Sequence, residues 1–380
     1  MKLQSIKYSQ FDGRPNEWNL DRLDLGPINL IVGRNATGKT KTVKFIYGLA
    51  ELLSGRLKPM QVSSANFDVI FQHEGKIYQY KVVIEDKAVI SEEFFIGEKC
   101  YLNRHKEGVG EIFAEQLDEY IKFQTPDTEL GLISRRDNIQ HSYFEPLYEW
   151  ANSVYFYNFS TTFGRDKLGL FNKDLDAELD PKNSEFVVGI YEKGDKEFPN
   201  KFKEMILTDL KKINYQISDI GLAPPVNLIR PVGLKGELMG LWVQEADLNS
   251  KTEQNIISNG MFRALSLIIQ LNYSKMALKP SCILIDDIGE GLDYERSCAL
   301  IELIIDKAMT SDIQLVMSTN DRFVMNKVPL EMWIVLNRRG ARCQVFNIHT
   351  SKEKFDQFKY TGLNNFDLFA TDYLINEDVN

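Results

Sequence analysis

Residues 33–40, GRNATGKT, constrain the fold more than any other segment of the sequence. They fit the pattern G-x-x-x-x-G-K-[ST] and follow residues 28–32, an apolar run typical of a buried strand. From about residue 39 to residue 53 the sequence predicts a helix. A buried strand that continues through a glycine-rich loop into a helix is a building unit of α/β folds. The sequence therefore predicts an α/β fold around this loop.

The same eight residues have the composition of a phosphate-binding loop. Glycines let consecutive backbone N–H groups turn inward around an anion, and the helix N-terminus adds partial positive charge. In this pattern Lys39 reaches the β and γ phosphates of ATP, and the Thr40 hydroxyl is a ligand of Mg²⁺. The other predicted ATP-binding residues here are Gly33, Asn35, Gly38, Lys41 and Thr42. The alternative is an unrelated glycine turn before a helix, which the flanking strand and helix disfavour.

A second group of candidate residues ends the apolar run 282–285, which is followed by Asp286 and Asp287. Such a pair suits a Walker B strand, in which Asp286 enters the Mg²⁺ shell and Asp287 orients or deprotonates water. The alternative is a strand that ends in a turn or a helix cap.

The text ILIDDIGEGLD, residues 283–293, resembles the Walker B strand and D-loop of ABC-type ATPases of the RecF, SMC and OLD-like branch. Asp293 matches the D-loop aspartate, and Asn35 matches the form G-x-N-x-x-G-K-[ST] found in this branch. Residues 257–263, ISNGMFR, are similar to the S-x-G-x-x-R form of the signature motif. The resemblance implies that Ser258 and Gly260 face the γ-phosphate bound by an opposite subunit, in a homodimer with sandwiched nucleotide. A plain helix N-cap is the alternative for these two residues.

Two positions depart from the family pattern. Asp287 stands where most relatives have the catalytic Glu, and Asn320 stands at the switch position, where His is usual. Asn can donate a hydrogen bond to phosphate but cannot become cationic, and Asp is one methylene shorter than Glu. Our hypothesis is slow hydrolysis, with ATP acting as a switch that clamps a dimer. Glu290 is a second candidate carboxylate, and residues 155–163, where the Q-loop is expected, contain no Gln.

The resemblance and the hydrophobic pattern together predict an ABC-type head with a mixed sheet, an antiparallel β meander and a helical and lid insertion. The predicted segments are 1–60, the N-terminal core; 61–110, the β subdomain; 111–236, the insertion; 237–350, the C-terminal core; and 351–380, an extension. Within the insertion we expect helix over 111–150, a polar and mostly acidic lid over 165–200, and helix over 202–213. Strands are expected at 282–285, 313–317 and 331–336.

Composition limits the other classes of function. With 43% hydrophobic residues in 380, the chain can bury a large core, and it has neither a long apolar run nor a secretory signal pattern. We therefore expect a cytoplasmic protein without a membrane segment. The formal charge of −9 argues against binding nucleic acid over the whole surface, although local basic patches leave nucleic acid open. The four cysteines are too far apart for a zinc knuckle.

The resemblance implies an ATPase that uses ATP and Mg²⁺. No heptad arms interrupt the chain as in SMC proteins, and about 40 residues after Leu336 are too few for the Toprim nuclease of OLD proteins. The expectation is a stand-alone ATPase that regulates a separate effector, a nuclease or toxin, in bacterial anti-phage defence. A RecF-like ATPase that binds DNA directly is the alternative. A transporter nucleotide-binding domain is disfavoured because the signature lacks Gly-Gly-Gln.

Overall fold

The computed structural model describes residues 1–160, 165–171, 187–226 and 236–375. These residues divide into two compact units. The first contains residues 1–154 and 329–380, and the second contains residues 155–328.

The strands are numbered along the chain within the described residues. They are β1 Lys2–Gln10, β2 Trp18–Asp24, β3 Ile28–Gly33, β4 Ser64–His73, β5 Lys76–Glu85, β6 Ala88–Ile96, β7 Lys99–Arg104, β8 Val109–Ala114, β9 Glu119–Gln124, β10 Val154–Asn158, β11 Gly169–Phe171, β12 Ile217–Ala223, β13 Glu237–Glu245, β14 Thr252–Glu253, β15 Ser281–Asp286, β16 Ile313–Ser318, β17 Trp333–Arg339 and β18 Arg342–Phe346.

The α-helices of the same residues are numbered in the same way. They are α1 Lys39–Leu53, α2 Gly131–Ser134, α3 Glu145–Asn152, α4 Val187–Glu197, α5 Lys201–Lys212, α6 Asn259–Met276, α7 Tyr294–Met309, α8 Arg322–Lys327, α9 Lys352–Lys359 and α10 Asn365–Ala370. None of the helices described here has both the length and the apolar character needed to cross a bilayer.

A mixed sheet forms the first unit, in the order β3-β17-β18-β2-β1-β4-β5-β6-β7-β8-β9. β3 pairs with β17 and β18 pairs with β2 in parallel, whereas β4 to β9 form an antiparallel meander. The predicted α/β class with a mixed sheet is confirmed. β3 is buried along its whole length because every side chain in it is apolar or paired, and α1 packs against α3. This arrangement places the loop 33–40 at the carboxyl end of a buried strand.

The prediction of helix over 111–150 is wrong for much of that range. Residues up to Gln124 form β8 and β9, which extend the meander by a hairpin, and helix is confined to short pieces after residue 130. Ile112 pairs with Leu102 of β7 on one side and with Ile121 of β9 on the other. Pairing with β7 therefore overrides the helix propensity of the charged residues here.

The second unit contains the strand order β10-β15-β16 and a smaller sheet in which β13 lies between β11 and β12. β15 and β16 are parallel, and α7 connects them. A buried polar cluster joins α5, α6 and α7. In it, Lys307 Nζ lies 2.6 Å from Asp209 Oδ2 and 2.7 Å from Asn272 Oδ1, and Asn272 also donates to Asp209. The predicted strands 282–285 and 313–317 and the helix 202–213 are confirmed to within a residue or two.

The lid predicted for 165–200 is described only in part, because residues 172–186 lie outside the described residues. Of the rest, β11 is a short strand paired with β13, and α4 is a helix that packs against α6. Residues 161–163 of the predicted Q-loop region also lie outside the described residues.

Candidate nucleotide-binding site

The loop between β3 and α1 is built so that glycine is required at Gly38. This residue precedes the first turn of α1 with a φ of 106°, in the left-handed region. A Cβ atom here would lie 2.8 Å from Trp18 Cζ2, closer than carbon atoms approach. Because both the dihedral angle and the space exclude a side chain, the sequence can form this loop only with glycine at this position.

Lys39 lies inside the loop rather than in solvent, since only 6% of the residue is exposed. Its Nζ donates to the carbonyl oxygen of Gly33 at 2.7 Å and to that of Arg34 at 3.3 Å. An ammonium group has three donors and no acceptor, so it can exchange carbonyl oxygens for phosphate oxygens without reorientation of the loop. The loop therefore holds a cation where an anion would enter.

Further cations surround the loop. Arg34 forms an ion pair with Asp372, and Arg338 Nη1 donates to the Ala36 carbonyl at 3.5 Å. Lys41 Nζ lies 4.7 Å from the centroid of the Trp18 ring. Burial, and then the like charge of Arg338, lower the pKa of Lys41. An anion beside these groups would relieve their mutual repulsion.

The other predicted residues of this segment differ in exposure. Asn35 is exposed, and Thr40 is half-buried in the first turn of α1. Thr42 is completely buried, and its Oγ1 has no hydrogen-bond partner. Thr40 thus has a hydroxyl available at the loop, whereas Thr42 points into the protein.

In the second unit, Asp286 ends β15 and is completely buried. Its Oδ1 accepts a hydrogen bond of 2.6 Å from the Ser318 hydroxyl at the end of β16. Its Oδ2 is also buried and has no hydrogen-bond partner. A buried carboxylate oxygen without a donor is costly unless a cation binds it, and a hard cation such as Mg²⁺ prefers oxygen ligands. Asp286 therefore fits the Mg²⁺ ligand that the sequence predicts.

Asp287 and Asn320 lie side by side. Asn320 Nδ2 donates to Asp287 Oδ1 at 3.4 Å, and Asn320 is exposed. Asp287 has a φ of 57°, a conformation that costs free energy for a residue with a side chain. Its backbone N–H donates to the Ser318 hydroxyl at 3.0 Å. The two positions that depart from the family pattern thus form one pair of side chains.

The signature segment packs directly on the D-loop segment. Ser258 is exposed and caps α6, because its Oγ accepts a hydrogen bond of 3.3 Å from the Met261 amide. A Cβ at Gly260 would lie 2.3 Å from the Gly291 carbonyl oxygen, so the two backbones touch. Arg263 Nη1 donates to the carbonyl oxygen of Glu290, whose side chain is on the surface. Ser258 therefore serves as the N-cap of α6, the role named above as the alternative.

Asp293 caps α7 and is exposed. Its Oδ1 accepts from the Arg296 amide at 3.0 Å, and its Oδ2 lies 2.6 Å from Arg296 Nη1. The backbone hydrogen bond first, and then the guanidinium, hold the pKa of Asp293 below its usual value. Ser258, Gly260, Asp293 and Arg296 line a cavity of about 630 Å³, together with residues 214–217 and 245–247. The second unit thus brings the predicted signature and D-loop residues to one cavity.

Solved structures that are similar to this chain include two SMC heads. One is an SMC head bound to the C-winged helix domain of ScpA, with a TM-score of 0.54, 12% identity and coverage of 91% of this chain and 97% of that chain. The other, derived from Pyrococcus furiosus, is an Smc head domain with an extended coiled coil bound to the C-terminal domain of ScpA. Its TM-score is 0.51 at 10% identity, over 94% of this chain and 99% of that chain. The chain therefore has the fold of SMC head domains.

No protein-family model and no curated protein matches the sequence. At such low identity the structural similarity establishes the fold and leaves the chemistry to the residues of the site.

Three further residues were not singled out from the sequence. Ser318 joins Asp286 and Asp287, Arg296 pairs with Asp293, and Arg34 pairs with Asp372. Ser318 stands in the predicted switch segment, and Arg296 stands three residues after a helix cap, where a basic residue can reach back. Arg34 and Asp372 are far apart in the sequence, so no local pattern indicates that they pair.

Proposed function

We propose that this chain is an ABC-type ATPase that binds ATP with Mg²⁺ and hydrolyses it slowly. The observation that carries the proposal is the glycine-dependent loop with buried Lys39, whose Nζ lies 2.7 Å from the Gly33 carbonyl oxygen. A fixed cation at the start of a helix is suited to a polyphosphate, since helix dipole and ammonium act on the same anion. The SMC-head fold supports the same function.

The residues have distinct roles in this proposal. Thr40 of the first unit and Asp286 of the second would each hold Mg²⁺, which when bound would supply charge neutralisation at the phosphate oxygens. Asp287 orients the attacking water and accepts its proton, and Asn320 donates a hydrogen bond to phosphate. Asn320 cannot become cationic and Asp287 has a short side chain, so both departures from the family favour slow turnover.

Equilibrium binding of a fluorescent ATP analogue tests the nucleotide site. Lys39→Ala should weaken binding at least about tenfold, because a hydrogen bond to a charged group contributes roughly 1.5–3 kcal/mol. Lys44→Ala, which removes an exposed lysine of the same helix, is the matched control and should bind normally. Equal affinities for the two variants would exclude the loop as the ATP site.

Steady-state phosphate release tests the rate. We expect turnover well below the median of roughly 10 per second for enzymes, and Asp287→Asn should lower it further while ATP binding is kept. Turnover of several per second without a partner would contradict the slow-switch hypothesis, and unchanged turnover in Asp287→Asn would remove Asp287 from its role.

We further propose that a second copy of the chain completes the site. Ser258 and Asp293 are exposed and line an open cavity together with Gly260, which supports contact with a nucleotide that another copy holds. ATP would then close a homodimer, and hydrolysis would release it.

The ATP-driven dimer would regulate a separate effector, a nuclease or toxin, in anti-phage defence. The similar SMC heads were solved in complex with domains of ScpA, which supports a protein partner for this chain as well. Copurification of an effector that is lost in Lys39→Ala would support this proposal. Tight, ATP-dependent and salt-sensitive binding of duplex DNA by the isolated protein would favour the RecF-like alternative instead.

A further inference from the structure

Ser318 of the second unit lies next to both Asp286 and Asp287. It is the last residue of β16 and is completely buried. Its hydroxyl donates to Asp286 Oδ1 at 2.6 Å and accepts from the Asp287 amide at 3.0 Å. One side chain therefore contacts both residues of the carboxylate pair.

The chemistry of a hydroxyl fixes the direction of these two bonds. Serine has a single O–H donor, and a backbone amide can only donate, so the proton of Ser318 must point at Asp286. Asp286 Oδ1 is engaged in this way, while Oδ2 has no partner. Rotation of the carboxylate would break the short bond. Ser318 thus determines which oxygen of Asp286 remains for a cation.

The second bond acts on the backbone of Asp287. A residue with a side chain at a φ of 57° needs surrounding contacts to hold it there. Here the Asp287 amide binds the Ser318 hydroxyl, and the next amide, that of Ile288, donates to the Ser318 carbonyl at 2.8 Å. Thr319 Oγ1 in turn donates to the Ile288 carbonyl at 2.8 Å. The end of β16 therefore sets the conformation from which the Asp287 side chain reaches Asn320.

We propose that Ser318 is a positioning residue for Mg²⁺ and for Asp287: its hydroxyl leaves Asp286 Oδ2 available as the ligand and holds Asp287 beside Asn320. The proposal rests on the ATPase function given above. Ser318 touches neither ATP nor water in this role and acts only through the two aspartates. It also connects the switch segment to the carboxylates, since Asn320 follows Ser318 by two residues.

The test is the Mg²⁺ dependence of ATP binding and of phosphate release in Ser318→Ala. We expect the Mg²⁺ concentration for half-maximal ATP binding to rise and kcat to fall, each by roughly 10- to 100-fold, as for other residues that orient metal ligands. Binding of ATP in EDTA should not change, because the phosphate loop is intact. Ser318→Thr keeps the hydroxyl and should restore most of the Mg²⁺ affinity.

Ser281→Ala is the matched control. Ser281 is a buried serine at the opposite end of β15 from Asp286, and its hydroxyl has no hydrogen-bond partner. If Ser318→Ala has the Mg²⁺ dependence of this control, the proposal is overturned. If Ser318→Ala does not fold, Ser318→Cys decides in its place, since a thiol fills the space of the hydroxyl but donates weakly. A wild-type protein without Mg²⁺-dependent ATP binding would instead overturn the proposed function itself.

Discussion

Among single residues, the glycine that precedes α1 and the glycine inside it should respond in opposite ways to substitution by alanine. Gly38→Ala should lower the free energy of unfolding and abolish ATP binding, because its Cβ would lie 2.8 Å from Trp18 at a φ of 106°. Gly48 is inside the helix with open space around its Cβ position. Gly48→Ala should therefore raise the free energy of unfolding by about 0.5–1 kcal/mol. Urea denaturation and ATP titration measure both effects. Normal ATP affinity in Gly38→Ala would contradict the loop geometry.

The reactivity of the buried thiols should depend on pH. Burial raises the pKa of Cys343 to about 12, and its Sγ donates to the carbonyl oxygen of Thr37, which belongs to the predicted phosphate loop. Burial raises the pKa of Cys282 to about 12 as well. Since the thiolate is the reactive form, both should resist iodoacetamide at pH 8 and react only as the pH approaches their pKa or the protein unfolds. Mass spectrometry of native and denatured samples measures this. Labelling of native Cys343 as fast as that of half-buried Cys100 would contradict it.

The residues of the loop could be predicted from sequence because each is required by local geometry. Gly38 and Lys39 follow from a pattern of eight consecutive residues, and the structure places them in one loop. Ser318 could not be predicted, since its role depends on a hydrogen bond between the ends of β15 and β16, 32 residues apart. A serine after a strand has many uses, and spacing does not distinguish them.

At the scale of elements, a buried ion pair joins the meander to the segment that follows it. Arg104 and Glu92 are both completely buried, 3.2 Å apart. Arg104 also donates to the carbonyl oxygens of Pro126 and Glu129, and Glu92 accepts from the Gly131 amide. Arg104→Met should lower the free energy of unfolding by about 3–5 kcal/mol, since it leaves a buried carboxylate without its cation.

Chemical denaturation measures this change, with Arg14→Ala as control. Arg14 pairs with Asp86 on the surface, where water and salt screen the interaction, so this variant should unfold like the wild type. Equal stabilities for the two variants would show that the buried pair does not anchor the segment after β9.

The elements that were predicted correctly differ in one respect from those that were predicted wrongly. Their sequence signal lies within the element and not in its pairing with another one. The signal for α1, β15 and β16 is an apolar run or a helical period in their own residues, and it does not depend on the elements beside them. β8 and β9 contain Glu and Lys, which also occur in helices. Their strand conformation depends on the pairing of β8 with β7. Sequence patterns therefore predicted the elements around the site better than the outer part of the meander.

For the whole molecule, the homodimer with shared sites can be tested by mixing two inactive variants. Lys39→Ala removes the phosphate contact, and Ser258→Arg places a large charged side chain at the exposed start of α6. Each variant alone should hydrolyse almost no ATP. In a mixed dimer both defects fall in the same site, and the other site combines an intact loop with an intact signature. Because neither variant dimerises by itself, every dimer in the mixture is mixed and has one intact site of two, so activity should return to about half of wild type at most.

The control in this experiment is Ser250→Arg, which adds the same charge at another exposed serine and should be active by itself. Ultracentrifugation with ATP should show a dimer for the mixture of Lys39→Ala and Ser258→Arg and a monomer for each variant alone. The two readouts separate the possible outcomes, because a site contained within one chain cannot be restored by mixing. If the mixture is as inactive as its components while Ser250→Arg is active, Ser258 and Lys39 do not meet across a dimer. A second copy of the chain would then contribute nothing to the site.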